Sequence, residues 1–323
     1  MASEFLINSL KVLRRIFLII KPDSSSFGRN WKMFSSKDYA NEQIYKQLMS
    51  EKPCMITRFG AFELSCLVNY LGVKNMKLYK SYKGYITSKT PEWWWSKSLL
   101  KNMHTNAGFF PNNIDKIEQF CELMLNDIKH IDILGSWLKE EKFVIKEPEK
   151  VKRLVLEDLE PFFSANPWTR ALEGKKVLVV HPFAATIEQQ FLKRELLFDN
   201  KLLPNFELKT IKSVQSIAGT KTEFSDWFEA LQSMKDEIDT IDYDICIIGA
   251  GAYGFPLAAH VKRTGKKAIH LGGVTQLLFG IKGRRWEINF VWPYTNLYNE
   301  YWVRPGETEK PKNAIIVEGA CYW

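Results

Sequence analysis

The sequence predicts an α/β protein with a doubly wound, mostly parallel sheet and an amphipathic helix at its N-terminus. Three observations support this fold class. Short β-branched runs such as Ile245–Ile248 are apolar throughout, as expected of parallel strands that are buried on both faces. From Lys175 onward, such runs alternate with helical patterns, which is typical of βαβ units. Glycines and polar residues follow several strands directly, at the edge where open α/β sheets bind their ligands.

Length and composition set the domain organisation and the class of partner. With 323 residues, the chain can form one large α/β domain. We interpret residues 1–30 as an amphipathic helix and its linker. Residues 31–323 then form a single α/β domain, with an N-terminal part (31–170) and a C-terminal, Rossmann-like part (171–323).

The charge and the cysteines narrow the functional classes further. A formal net charge of +8 favours phosphate-bearing partners such as nucleotides or anionic lipids. No signature of a nucleic-acid module appears, so nucleic acid is not expected as a partner. The five cysteines are widely spaced and lack a C-x-x-C pair, which argues against a disulfide framework or a zinc site. This cysteine usage fits a cytoplasmic protein.

The N-terminal run at residues 5–20 is strongly apolar but contains Lys11, Arg14 and Arg15. It is shorter than the roughly 20 apolar residues of a membrane-spanning helix, and no cleavage site of a signal peptide follows it. Two interpretations stay open. The helix either lies on an anionic membrane surface, as a peripheral anchor on the inner face of the plasma membrane, or docks on the core of the protein itself. The Ser-rich residues 23–29 read as its linker.

The N-terminal part opens with a helix over residues 37–50 and a strand over residues 53–58. Arg58, Phe59 and Gly60 then form a strand-to-helix turn, with Glu63 in the first helical turn. A carboxylate at this position stabilises the free amides and the positive end of the helix dipole. Because Arg58 and Glu63 flank one glycine turn, they also suit a ligand site.

Further along, the pattern predicts a helix over 113–130, a strand over 131–134 and a mixed element over 152–163. Residues 93–95 are three adjacent tryptophans. Neighbouring residues on a helix point about 100° apart, so the three rings cannot all face inward. Contact with a sugar or a membrane, and core packing with partial exposure, both fit this triplet.

The C-terminal part has the clearest alternation of strands and helices. We predict strands at residues 177–180, 206–214, 245–248 and 267–271, and helices at residues 187–197, 224–238 and 253–263. The carboxyl ends of parallel strands meet at one edge of a sheet. We therefore expect His181, residues 213–216, Gly249 and residues 270–273 to line one pocket.

The pocket should also include the early turn. We expect residues 58–63 to face the glycine turn at residues 249–254. Near the C-terminus, Arg284 and Arg285 follow a glycine. Such a pair is suited to clamp a phosphate group, and a solvated basic loop is the alternative.

The glycine turn at residues 249–254 has the form G-x-G-x-x-G directly after a strand. This spacing suggests a site for a nicotinamide or flavin dinucleotide. However, the acidic residue expected about 20 positions later, which holds the ribose, is absent. Residues 269–272 read Ile-His-Leu-Gly instead. A dinucleotide-dependent oxidoreductase therefore remains an alternative, and a ligand-facing glycine turn is the minimal interpretation.

The turn R-F-G-x-x-E, formed by Arg58, Phe59, Gly60 and Glu63, and the late strand–G-x-G–helix–strand unit ending in K-K-A-I-H-L-G-G resemble the GT-D type of bacterial glycosyltransferase. The resemblance implies a Rossmann-like fold and the transfer of a sugar from a nucleotide-sugar donor, with a UDP-sugar expected. It also implies a glycan or lipid-linked acceptor in the biosynthesis of cell-envelope polysaccharide or glycoconjugate.

The chain departs from the family pattern at two positions of this turn. The family reads R-F-G-D-G-E, and its paired carboxylates serve a divalent metal and the donor diphosphate. Here Ala61 and Phe62 occupy the positions of the aspartate and the second glycine. A hard cation such as Mn²⁺ or Mg²⁺ prefers several oxygen ligands. We therefore expect no firm metal site, with Glu63 as the one carboxylate that this turn offers a cation.

The resemblance also suggests roles for individual residues. Glu63 or His181 would act as the base for the acceptor hydroxyl, although His181 is also explained as an ordinary histidine at a strand end. Positive charge for the leaving diphosphate would come from Arg58, Lys212, Arg284 and Arg285. Other contacts to the donor are expected from Phe59, Gly60, Ser213, Gly249, Gly251, Tyr253, Gly272 and Gly273. A catalytically inactive nucleotide-binding or scaffold protein is the non-enzymatic alternative, with Ala61 marking the loss of catalysis.

Overall fold

The computed structural model describes residues 4–30, 35–199, 202–288, 291–317 and 319–323. Its strands are β1 (Cys54–Arg58), β2 (Ile133–Ser136), β3 (Lys152–Val155), β4 (Lys176–His181), β5 (Glu207–Lys212), β6 (Ile245–Ile248) and β7 (Lys267–His270). Its α-helices are α1 (Glu4–Ile20), α2 (Lys37–Met49), α3 (Ala61–Lys74), α4 (Met76–Tyr79), α5 (Tyr82–Ile86), α6 (Lys97–Thr105), α7 (Ile114–Asp127), α8 (Glu141–Val144), α9 (Ala184–Phe191), α10 (Arg194–Leu197), α11 (Trp227–Thr240), α12 (Gly254–Arg263), α13 (Thr275–Leu278), α14 (Arg284–Ile288) and α15 (Val291–Tyr294). Short 3₁₀ turns join several of them.

The described strands form one parallel sheet in the order β3-β2-β1-β7-β6-β4-β5. The fold is therefore α/β, Rossmann-like and doubly wound, which confirms the predicted fold class. β1 lies next to β7, with Cys54 opposite Lys267 and Ile56 opposite Ile269. One sheet thus contains strands from both the N-terminal and the C-terminal parts of the chain.

Two hydrophobic clusters cover the two faces of this sheet. Side chains alternate across a pleated strand, so Met55 joins one cluster while Cys54 and Ile56 join the other. The first cluster receives side chains from α3, α7, α11 and α12, and the second from α2, α9, α13 and the C-terminal segment. Because helices cover both faces, the strands can be apolar throughout, as the sequence shows.

Local sequence signals account for the start of several helices. Ser36 precedes α2, and its hydroxyl accepts a hydrogen bond from the Tyr39 amide at 3.2 Å. Asn113 precedes α7, and its side-chain oxygen accepts hydrogen bonds from Asp115 and Lys116. Short polar side chains at such positions satisfy the free amides of the first turn. The helices predicted at residues 37–50 and 113–130 are accordingly found with nearly the expected bounds.

Two predicted elements are shifted by contacts that are distant in sequence. The strand predicted at residues 131–134 is β2, which extends to Ser136 because its pairing with β3 continues to Val155. The helix predicted at residues 187–197 begins earlier, as α9, and ends at Phe191. The carboxylate of Glu309 accepts hydrogen bonds from the amides of Ala185 and Thr186, at 3.0 and 3.3 Å, and so caps the first turn.

The N-terminal helix α1 docks one of its sides on the protein. Leu10 is buried with Tyr85 and Trp93 in a small cluster that is separate from the two clusters of the sheet, so this side of the helix packs on the protein itself. Within the tryptophan triplet, Trp93 is buried, while Trp94 and Trp95 are half-buried. Among the described helices, none combines the length and the apolar character needed to cross a membrane.

Candidate functional site

A cavity of about 210 Å³ lies at the edge of the sheet where β1, β4, β5, β6 and β7 end. The early turn at residues 58–63 and the glycine turn at residues 249–254 both contribute to its lining, as the sequence predicted. The predicted site residues that line it are Arg58, Gly60, Glu63, His181, Ser213, Gly249, Gly251, Tyr253, Gly272, Gly273 and Arg285.

Three predicted site residues do not line this cavity. Phe59 is buried, and its ring stacks on that of Phe255 with centroids 4.9 Å apart. Lys212 is exposed, because successive side chains alternate along a strand and Ser213 takes the cavity side. Arg284 is also exposed and donates a hydrogen bond to the carbonyl of Gly319 at 3.1 Å. Among the described lining residues, the cations are therefore Arg58 and Arg285.

Arg58, the last residue of β1, brings a guanidinium to the cavity. The group lies 5.1 Å from the centroid of the Trp137 ring and against Gly272, where a Cβ atom would approach Nη1 to 3.1 Å. Burial lowers the pKa of Arg58, and the negative charge of Glu63 opposes that effect. Its Nε is buried without a hydrogen-bond partner. A cation with an unused donor beside a cavity favours an anionic ligand.

Trp137, which supports Arg58, is itself held firmly. Its indole nitrogen donates to the carbonyl of Phe59 at 3.0 Å, and its amide donates to the Glu141 carboxylate at 2.8 Å. The buried Glu141 also accepts hydrogen bonds from the amide of Leu138 and from Arg153, at 2.9 and 2.8 Å. The sequence interpretation missed Trp137. Had β2 been predicted to its true end at Ser136, the rule for strand ends would have included this residue.

Glu63 is the acidic side chain among the described residues that line the cavity. Its carboxylate folds back over Gly60, where a Cβ atom would overlap with it. Burial raises the pKa of Glu63, while a hydrogen bond to its own amide and the charge of Arg58 act in the opposite direction. This geometry places the carboxylate in the first turn of helix α3 and also presents it to the cavity. A carboxylate with a raised pKa is suited to accept a proton near neutral pH.

Two buried histidines, His181 and His270, also line the cavity. Burial lowers the pKa of each to about 3, and Arg58 adds to the effect at His270. Both rings are therefore neutral at physiological pH. The Nδ1 of His181 accepts a hydrogen bond from the Phe183 amide at 3.0 Å, so its ring proton is on Nε2. A neutral ring with such a low pKa is a weak base. The opposite directions of the two pKa shifts therefore favour Glu63 over His181 as the candidate base.

Two of the glycines after β6, Gly249 and Gly254, pack against these histidines. A Cβ atom at Gly249 would lie 2.5 Å from the His181 ring, and one at Gly254 would lie 2.5 Å from Nδ1 of His270. Gly251 has a φ of +52°, which residues other than glycine rarely adopt. The G-x-G-x-x-G spacing thus arises here without reference to a pyrophosphate, which weakens the case for a dinucleotide.

The side-chain atoms at the cavity do not suit the binding of a divalent cation. Among the described lining residues, Glu63 supplies the carboxylate oxygens, and the guanidinium of Arg58 lies nearby. In the described part of the chain, no group of three or more histidine, cysteine, aspartate or glutamate side chains is placed to hold a metal. Mn²⁺ and Mg²⁺ prefer several oxygen ligands. We therefore assign no step to a metal.

The remaining walls of the cavity are aromatic and polar. The guanidinium of Arg285 lies 4.8 Å from the centroid of the Tyr322 ring. Two buried oxygens, Oγ of Ser213 and Oε1 of Gln276, have no hydrogen-bond partner. Aromatic side chains that line the cavity are Phe62, Trp137, Phe183, Tyr253, Tyr322 and Trp323. Positive charge, unused polar atoms and ring faces together suit an anionic ligand that carries hydroxyls and a planar group.

In comparisons with protein-family models, with curated proteins and with solved structures, none matched this chain. The resemblance to the GT-D type of glycosyltransferase therefore rests on the residues of the R-F-G-x-x-E turn and of the late glycine unit.

Proposed function

We propose that the protein is a glycosyltransferase that binds a nucleotide sugar in this cavity and transfers the sugar to a glycan or lipid-linked acceptor. The observation that carries the proposal is the convergence of Arg58, Arg285 and Glu63 at the carboxyl edge of one parallel sheet. The resemblance of the turn at residues 58–63 to the GT-D pattern supports the choice of transferase over other uses of an anion-binding cavity.

In this proposal the two arginines bind the diphosphate of the donor. The N-terminus of α3 adds free amides and the positive end of a 14-residue helix. As the bond between the sugar and the diphosphate breaks, negative charge grows on the leaving oxygen. Preorganised cations stabilise that charge more in the transition state than in the bound donor, which lowers the barrier. The aromatic walls contact the base or the sugar ring.

Glu63 supplies the base. In an inverting transfer, the acceptor hydroxyl oxygen attacks the anomeric carbon while the bond to the diphosphate breaks. The hydroxyl proton passes to the Glu63 carboxylate, and the electron pair of the broken bond remains on the diphosphate. The raised pKa of Glu63 brings the carboxylate closer to the working range of a base at neutral pH. The neutral histidines support the site by packing and hydrogen bonding.

A panel of nucleotides tests this proposal by differential scanning. We expect UDP or UDP-glucose to raise the melting temperature, because a ligand that binds the folded state stabilises it. The Arg58→Gln variant should lose about 10²-fold in affinity, since a charge-assisted bond to phosphate is removed. Lys212→Gln is the matched control, because Lys212 is exposed outside the cavity and should bind like the wild type.

Other outcomes of this panel contradict the proposal. Stabilisation by NAD⁺ or FAD alone would favour the dinucleotide-dependent oxidoreductase. No response to any nucleotide would favour a scaffold protein. Equal loss of affinity in the Arg58 and Lys212 variants would show that general positive charge, and not the cavity, attracts the ligand.

A further inference from the structure

The N-terminal helix α1 carries a stripe of exposed apolar side chains. Its members are 47% to 83% exposed, and they are Phe5, Val12, Leu13, Ile16, Ile19 and Ile20. With about 100° between successive residues, all six fall within about 120° of the helix circumference. Ser9 is the polar residue within this stripe and separates Phe5 from the other five. Single exposed apolar residues are common, but several on one side of a helix mark a surface that binds a partner.

The opposite side of α1 is fixed to the protein. Leu10 is buried against Tyr85 and Trp93. The guanidinium of Arg14 lies 4.9 Å from the centroid of the Phe27 ring and 4.7 Å from that of Tyr85, and Nη2 donates to the Ser88 hydroxyl at 2.9 Å. These contacts fix the rotation of the helix about its axis. The apolar stripe therefore faces outward because of the fold, and it exists before any partner arrives.

Basic side chains lie beside the stripe. Lys11 and Arg15 are exposed and fall along one border of it, and the exposed Lys21 follows the helix directly. The helix has one acidic residue, Glu4, which forms an ion pair with Lys97 at 3.3 Å. Arg14, which the sequence grouped with Lys11 and Arg15, is instead used for packing inside the protein. The outward surface of α1 thus combines apolar side chains with positive charge at its border.

We propose that this stripe docks the protein on an anionic lipid bilayer, with α1 parallel to the membrane plane. The apolar side chains would enter the interface between headgroups and acyl chains, while Lys11 and Arg15 remain at the level of the anionic headgroups. The charges favour a bilayer over a second copy of this chain, because pairing two stripes would bring basic borders and two chains of net charge +8 together. The inference does not depend on the proposed transferase activity.

Co-sedimentation of the full chain with vesicles tests the proposal. We expect binding to phosphatidylcholine vesicles that contain about one quarter phosphatidylglycerol, and much weaker binding to phosphatidylcholine alone. The Ile16→Gln/Ile19→Gln variant should bind anionic vesicles at least tenfold more weakly, because it removes apolar area from the stripe. The Lys11→Gln/Arg15→Gln variant should bind the same vesicles about tenfold or more weakly than the wild type. Each basic residue near an anionic surface increases the binding affinity about fivefold.

Leu192→Gln is the matched control. Leu192 is apolar and 82% exposed, but it lies at the end of α9, outside α1. This variant should bind vesicles within about twofold of the wild type. The melting temperatures of all the variants should match that of the wild type, because the substituted side chains are exposed. The response to nucleotides should also be unchanged, which separates this test from that of the proposed function.

Three results would overturn the proposal. The first is a wild type that does not bind anionic vesicles. The second is equal binding by the wild type and both α1 variants. The third is a concentration-dependent dimer that the Ile16→Gln/Ile19→Gln variant abolishes without any vesicle binding, which would assign the stripe to a second copy of the chain.

Discussion

Two strand-to-helix turns flank the end of β7, and they use their glycines in different ways. The turn after β1 brings the charged side chains of Arg58 and Glu63 to the cavity. The turn after β6, at residues 249–254, brings no charged side chain. Both turns follow an apolar parallel strand and precede a helix, so they look alike in sequence.

The difference shows that a glycine pattern alone does not identify a ligand. At Gly60, the missing Cβ leaves room for the Glu63 carboxylate. At Gly249 and Gly254, it leaves room for the rings of His181 and His270. In the first turn the glycine therefore serves an ionisable group at the cavity, whereas in the second the glycines mainly allow close packing. Substitutions in the two turns should accordingly affect different properties.

The largest expected effect is on the rate of sugar transfer, and it concerns Glu63 in the turn after β1. We expect Glu63→Gln to lower the rate of sugar transfer by about 10²-fold, because the amide cannot accept the proton. The free energy of unfolding should stay nearly unchanged, since the amide oxygen still accepts hydrogen bonds at the start of α3. Donor turnover and urea unfolding of the wild type and the variant measure the two quantities.

Helix capping alone predicts the reverse pattern for this substitution. Stability would then fall by about 0.5 to 1 kcal/mol while turnover stayed the same. A fully active Glu63→Gln variant would remove Glu63 from the proposed chemistry and would leave the two turns alike in their structural role.

The next largest expected effect is on stability, and it concerns Gly254 in the turn after β6. Gly254 has helical backbone angles, so alanine suits its backbone. However, the added Cβ would lie 2.5 Å from Nδ1 of His270, a ring that is buried and has little room to move. We expect Gly254→Ala to lower the free energy of unfolding by about 2 kcal/mol, measured by urea denaturation.

The Gly254→Ala/His270→Ala double variant provides the control. Removing the His270 ring relieves the overlap. The free energy of unfolding that the double variant loses should therefore be smaller than the sum of the losses in the two single variants. Additive losses would show that the Gly254 Cβ is accommodated in another way.

The smallest of the three expected effects concerns Gly60. Its φ of −72° and ψ of 145° are open to alanine. The side chain that the new Cβ would meet, that of Glu63, is flexible at its end and can move away. Gly60 is the N-cap residue of α3, where alanine is less favourable than glycine, so Gly60→Ala should lower the free energy of unfolding by about 0.5 to 1 kcal/mol. Sugar transfer should fall about tenfold or more because the carboxylate is displaced. A loss of stability as large as that in Gly254→Ala would erase the contrast between the turns.

The sequence was sufficient to predict the edge of the sheet and most of the residues that meet there. His181, Gly249 and Gly272 come at the ends of apolar runs, Ser213 follows the strand predicted from residue 206, and the rule for parallel strand ends places them together. Lys212 and Arg284 were expected at the cavity but lie outside it. In each case the adjacent residue lines the cavity, because neighbouring side chains on a strand or helix point in different directions.

Other parts of the site could not be predicted from local patterns. Tyr322 and Trp323 reach the cavity because the C-terminal segment packs on the second face of the sheet. The Glu309 cap on α9 depends on the same tertiary contact. No periodicity or turn signal in these residues specifies their partners. Whether Glu63 acts as a base or only as a cap is also invisible in sequence, since both roles require a carboxylate in the first helical turn.

The pairing of β1 with β7 has a consequence for how the protein folds. The sheet order divides into two blocks that are each continuous along the chain, β1 to β3 and β4 to β7. Each block can pair its own strands early, but β1 and β7 meet only after a very long loop has closed, and such distant contacts form slowly. Arg58 is the last residue of β1 and Gly272 follows β7, so the cavity assembles only when the blocks join. Until then, each block exposes an unpaired strand edge, which makes this stage the one most open to aggregation.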